Sequence, residues 1–237
     1  MGTLLLVEVR RLLRSPSFLI FTIGFPVVFF LIFSGIYGAG PEVLIMLMTG
    51  MAAFGAITAS VSTGGLVATE RSVGWNRQLR LTPLSAWGYL GVKAAVAMLV
   101  ALPAILLVLV VGALLGVGLD PVTWLRVAVA AWLGVLPFAA IGLLIGTLAT
   151  ATSAQGATMV TMLLFSLLGG LFISTDLLPP FMVGIARALP SYWLAELAAG
   201  QATGGGIPLE GVAVLAAWFV AAGGLTVLRY RRSAVRA

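Results

Sequence analysis

Six stretches of this sequence are each apolar for about as long as a helix needs to cross a bilayer, and the charges lie almost entirely between them. A hydrocarbon core about 30 Å thick takes about 20 helical residues. The stretches run Ser17 to Tyr37, Val43 to Ala68, Lys93 to Gly118, Val122 to Ala149, Gly156 to Thr175 and Pro208 to Tyr230. Only 8% of residues are charged and 61% are hydrophobic, whereas a soluble domain carries about a quarter of its residues as charges. The expected fold is therefore an all-α integral membrane protein with six transmembrane helices, residues 1–237 forming a single transmembrane domain.

Charge sets the expected orientation. Eleven of the thirteen basic residues form three blocks: Arg10, Arg11 and Arg14; Arg71, Arg77, Arg80 and Lys93; and Arg229, Arg231, Arg232 and Arg236. Lys and Arg near helix ends resist translocation, while acidic residues matter little. The three blocks then share the cytoplasmic side, and an even number of spans returns the chain to that side. This predicts a multi-pass membrane protein with both termini cytoplasmic. The other side holds Glu42, Asp120, Asp176, Glu196 and Glu210, with Arg126 and Arg187. A net charge of +6 placed beside spans faces anionic lipid headgroups, so membrane lipids and not nucleic acid are the expected partners of these arginines. Cysteine is absent, which rules out a disulfide framework. Arginine supplies every basic position but Lys93, and with heavy Ala, Gly and Val usage this points to a G+C-rich bacterial genome. Val9 to Arg14 loosely resembles a twin-arginine signal, but the apolar run after it is too long for a signal core and is followed by further spans, so it is expected to stay as the first span.

What the chain lacks narrows its chemistry. It has no GxxxxGK[ST] loop to cradle nucleotide phosphates, no His or Cys for a zinc site or for imidazole and thiol catalysis, and no acidic residue expected within a span to carry a proton or cation. It is not expected to be an enzyme or to hold a cofactor. An active transporter built this way needs a motor on a separate subunit; a passive channel or a scaffold remains open on this ground.

Two polar segments are expected in the cytoplasm. Residues Leu4 to Arg14, turned at 100° per residue, separate Leu5, Leu6, Val9, Leu12 and Leu13 from Glu8, Arg10, Arg11 and Arg14, which predicts an amphipathic interfacial helix within residues 1–16, broken at Ser15-Pro16. It serves as a topology anchor, or as a lever on a cytoplasmic partner. The longest polar interruption runs from Glu70 to Leu84. As a helix ending before Pro83 it puts Asn76, Arg77 and Arg80 on one arc and Trp75 with Leu79 on another, a basic edge with an aromatic anchor suited to docking in a protein groove; a solvated loop is the plainer alternative.

Glu70, Arg71, Gly74, Leu79, Thr82, Pro83 and Leu84 follow the pattern E-R-x-x-G-x-x-x-x-L-x-x-T-P-L, and the segment resembles the loop after the second span in permeases of type-2 ABC exporters, drug-resistance and antibiotic-export branch. A second segment, Leu178-Pro179-Pro180 through Leu189-Pro190-Ser191-Tyr192 to Glu196, is similar to the same family's external L-P…N-P-x-x-Y segment, although Leu189 stands where Asn is common and Tyr192 comes one position early. The resemblance implies two ATPase subunits, which bind ATP and Mg, beside two permease subunits, either a homodimer or a pair with a similar paralogue. It implies that residues 69–92 form the coupling loop, with Glu70, Arg71, Gly74, Trp75, Arg77, Arg80 and Pro83 engaging the ATPase, and that spans one and five line the solute path. Glu196 to Gly200 with Ile207-Pro208 also loosely resembles the EAA loop of ABC importers, but that loop must be cytoplasmic and this stretch is expected outside.

Within the spans, Gly112 with Gly116 and Gly142 with Gly146 are GxxxG pairs expected to pack helix on helix, and Pro26, Pro103 and Pro137 are expected kink sites. Phe25, Met51, Phe54, Met162, Phe165 and Phe172 form a candidate path for an apolar solute, although core or lipid-facing packing accounts for the same side chains. Residues 176–207 are too apolar to sit free in water and are expected to re-enter the outer leaflet as a helical hairpin broken at Pro190, anchored by Tyr192 and Trp193; Pro179, Pro190 and Tyr192 are candidate gate residues. The expected function is the permease subunit of a bacterial ABC exporter moving a hydrophobic or amphipathic small molecule outward. Export of lipid or polysaccharide, and a non-transporting scaffold or immunity protein, are the alternatives.

Overall fold

The computed structural model describes residues 2–38, 40–73, 86–172 and 179–235. Every regular element among them is helical: α1 (Gly2–Leu13), α2 (Pro16–Leu19), a π-helical turn (Ile20–Gly24), α3 (Phe25–Tyr37), α4 (Pro41–Ser72), α5 (Ala86–Leu114), α6 (Pro121–Leu133), α7 (Leu136–Leu148), α8 (Ala151–Leu168), α9 (Pro180–Ala188), α10 (Pro190–Ala202) and α11 (Leu209–Val235). Among the described residues six spans are long and apolar enough to cross a membrane: Ile20–Tyr37, Pro41–Ser72, Gly88–Leu114, Pro121–Leu148, Ala151–Leu168 and Leu209–Arg229. The chain is a multi-pass membrane protein.

Proline marks where helices begin. Pro41, Pro121, Pro137, Pro180 and Pro190 all stand in first turns, where the missing N–H would have had no intrahelical partner. The three expected kink sites take three forms. Pro26 follows the π-helical turn, Pro137 divides span four into α6 and α7, and Pro103 lies inside the continuous helix α5. Span five begins earlier than hydropathy suggests. Thr150 accepts a hydrogen bond from the Ser153 N–H while the Ser153 hydroxyl accepts from the Thr150 N–H, a reciprocal cap that starts α8 at Ala151.

Helix α4 is the axis of the bundle, with 83% of its most apolar window buried, and α3, α5, α7 and α8 all pack on it. Its approach to α7 is set by glycine. A methyl group at Gly64, Gly142 or Gly146 would come within 3.0 Å of backbone or side-chain atoms of the facing helix. Such contact between backbones is how helices associate where lipid removes the hydrophobic drive. Gly112 accommodates the Met48 side chain in the same way. Gly116 differs from the packing expectation: its φ is +98° with no heavy atom nearby, so it ends α5 in a conformation that suits glycine.

Candidate functional site

At one end of the bundle the last turn of α4 meets α1, α5 and α7. Lys93 on α5 is 1% exposed, and its Nζ lies 2.5 and 2.6 Å from the two carboxylate oxygens of Glu8 on α1 and 2.6 Å from Oε1 of Glu70 on α4. The Tyr89 hydroxyl donates to the other Glu70 oxygen at 3.0 Å. An ammonium removed from water needs close anionic partners, and here they come from two other helices. The neighbouring Arg71 points elsewhere, its Nη1 donating to the carbonyls of Gly146 at 2.8 Å and Thr147 at 2.7 Å. Carbonyls in the last turn of a helix lack intrahelical donors and carry the negative end of the helix dipole. Two adjacent residues thereby tie the end of α4 to three helices.

This changes the reading of two side chains. Glu8 belongs to the polar arc of α1 yet turns inward to Lys93, and Lys93, expected as a positive-side charge at the start of span three, lies inside the span Gly88–Leu114. Neutralisation by Glu8 and Glu70 is what permits it there. Of the expected coupling residues, Glu70 and Arg71 are in this junction, while Gly74, Trp75, Arg77, Arg80 and Pro83 lie outside the described residues. Sequence reasoning missed Glu8, Tyr89 and Lys93; the available signal was a single lysine at the edge of an apolar run.

The six candidate path residues separate into distinct surroundings. Phe25, Phe54 and Phe172 come together, with ring centroids 5.9 Å apart for Phe25 and Phe54 and 5.2 Å for Phe54 and Phe172. Phe29 and Phe33 extend this cluster along α3, 6.4 and 6.3 Å from Phe172. Phe165 stands apart, edge-on between Phe138 at 5.7 Å and Trp218 at 5.6 Å. Met162 accepts from the Thr58 hydroxyl through its sulfur at 3.0 Å, and Met51 is fully buried in α4.

At the opposite, far end, α9 and α10 meet at Leu189. Pro179 is exposed ahead of α9, Pro190 is buried in the first turn of α10, and Tyr192 packs edge-on against Trp193 at 4.9 Å. Trp193 is internal and not an interfacial anchor. It is 7% exposed, its indole N–H donates to the Arg187 carbonyl at 2.7 Å, and its ring covers Gly211. The Trp218 indole closes the same corner through the Ala188 carbonyl at 3.0 Å. A cavity of about 70 Å³ between the start of α4 and α10 is bordered by Thr49, Gly50, Leu171 and Tyr192.

Residues 1–201 match the family described as "ABC-2 type transporter". A protein of Bacillus subtilis (strain 168) named "Putative transport permease YvfS" is 27% identical over 221 residues, covering 91% of this chain and 90% of the relative.

Proposed function

The chain belongs to the ABC-2 type transporter family, and from that premise we propose that it is the permease subunit of a bacterial ABC exporter of the drug-resistance type, carrying a hydrophobic or amphipathic small molecule outward. Two copies of a separate ATPase subunit bind ATP and Mg and supply the energy. A second permease, identical or paralogous, completes the path. The subunit sits in the inner membrane with both termini cytoplasmic, α1 lying at the cytoplasmic interface and α9–α10 re-entering the outer leaflet as a cap in which Pro179, Pro190 and Tyr192 act at the gate.

The observation that carries this reading is the junction at the end of α4. The segment that would seat on the ATPase begins at Glu70 and Arg71, which are bonded to α5 and α7, and through Lys93 of α5 to Glu8 of α1. A push delivered through residues Gly74, Trp75, Arg77, Arg80 and Pro83 would move several helices together. The aromatic cluster supports an apolar solute, because Phe25 remains 39% exposed beside the buried Phe54, and the outward apolar faces of α3 and α8 suit a path between two permease copies.

The test is co-purification in detergent with the ATPase encoded beside the gene, comparing the native chain with the Arg77→Glu/Arg80→Glu variant. A stoichiometric complex weakened by the reversal is expected. Failure of every candidate ATPase to bind would replace this reading with a scaffold or passive channel.

A further inference from the structure

A groove of about 630 Å³ runs along the outward faces of α6, α7, α10 and α11. It exists because span four is interrupted: α6 ends at Gly134, α7 restarts ahead of Pro137, and Leu194 fills the space against Gly134, where a methyl would collide with it. Its walls are apolar, including Leu125, Leu133, Leu215 and Phe219, with two exceptions, Arg126 and Gln201.

The polar groups are placed as an amphiphile requires. Arg126 stands five residues past Pro121, about 7 Å below the start of α6 at 1.5 Å per residue. The groove continues to Pro137, about 22 Å from its far-end rim at Val122 by the same rise. One leaflet contributes about 15 Å of hydrocarbon, so the groove spans a leaflet with its cation near the headgroup level. Among the described residues no carboxylate lies within 4.0 Å of Arg126; the ion pairs among them are both made by Lys93, at the other end of the bundle. The nearby Asp120 is occupied by its own helix, accepting from the N–H groups of Val122 and Thr123 at 3.0 and 3.1 Å. Arg126 is exposed, and its planar guanidinium matches a phosphodiester.

We propose that this groove binds one anionic phospholipid from the leaflet at the far end of the bundle, its phosphate on Arg126 and its acyl chain lying between α6 and α11 down to Pro137. The site shares no lining residue with the aromatic cluster and does not depend on an ATPase, so it stands or falls separately from the export reading.

The test uses the full chain in nanodiscs of POPC with and without POPG, counting lipids retained after release into detergent by native mass spectrometry. The native chain is expected to retain POPG in preference to POPC. Arg126→Gln should lower POPG retention about tenfold, equivalent to about 1.4 kcal/mol. Arg126→Lys should keep most of it, and Arg187→Gln should match the native chain. Ala216→Phe fills the groove and leaves the charge in place, and it too should lose POPG; all variants are compared as monodisperse fractions. Equal retention of POPG and POPC by the native chain, undiminished POPG on Arg126→Gln, or equal losses on Arg126→Gln and Arg187→Gln would each overturn the proposal.

Discussion

The charged junction and the aromatic cluster both touch α4, but they are held by opposite kinds of force. The junction consists of directional bonds between ions and dipoles: Lys93 with Glu8 and Glu70, and Arg71 with two helix-terminal carbonyls. Each bond weakens steeply with displacement or misalignment, so the helices it joins must move as a unit or break apart at a cost. The cluster of Phe25, Phe29, Phe33, Phe54 and Phe172 has ring pairs in several tilts at 4.2 to 6.4 Å. Aromatic contacts tolerate many geometries. One end of α4 is held by contacts that resist displacement, and its middle by contacts that tolerate it.

Removing a single member of the junction should give the largest effect. Lys93→Met leaves two carboxylates without their cation and should cost about 3–5 kcal/mol, read as a lower unfolding temperature in detergent. The triple variant with Glu8→Gln and Glu70→Gln should recover most of that loss; no recovery would mean that Lys93 acts through packing alone. Next comes Arg71→Gln, which weakens charge-assisted bonds worth about 1.5–3 kcal/mol. Its loss should appear as faster amide exchange confined to the ends of α4 and α7, and uniform exchange across the bundle would contradict a local clamp.

The cluster should respond differently. Phe54→Leu keeps most of the volume, so its stability cost should stay below about 1.5 kcal/mol, while solute stimulation of the partner's ATP turnover changes and basal turnover is retained. An unaltered response to every solute would make Phe54 a packing residue. The smallest effect belongs to Asp120, outside both regions. The Thr123 hydroxyl, and then the Thr123 N–H, hold its carboxyl below the ordinary aspartate value. A carboxyl lowered by folding contributes fully above its unfolded value, about 3.9, and loses that contribution as pH falls through the lower folded value. Asp120→Ala should therefore lower thermal stability slightly at neutral pH, where the capping carboxylate contributes in full, and the two chains should converge as pH falls through the lowered folded value; an unchanged difference across that range would show that the cap is energetically silent.

Six spans could be read from hydropathy alone because lipid imposes a length on every crossing. Their ends could not, because ends depend on particular partners. Thr150 and Ser153 start α8 before the strongly apolar run, and Lys93 enters span three only because Glu8 and Glu70, 85 and 23 residues away in sequence, lie beside it. The glycine pattern was informative at Gly142 and Gly146, where α4 approaches closely, but Gly116 shares the spacing and serves as a helix stop. Aromatic residues showed least: Phe54 and Phe165 look equivalent in sequence, yet only Phe54 joins the cluster on α3.

The position of Lys93 also bears on how the chain is made. Both of its counter-charges precede it, Glu8 in the first helix and Glu70 at the end of the second span. Synthesis proceeds from the amino terminus, so when the ribosome delivers span three its one embedded ammonium meets carboxylates already in place. A chain with the reverse order would have to hold that charge near the edge of the bilayer unaccompanied, at some part of the about 2.5–3.5 kcal/mol that a central position costs on the insertion scale. The ion cluster that ties the finished bundle together therefore also eases the insertion of the helix that carries its cation.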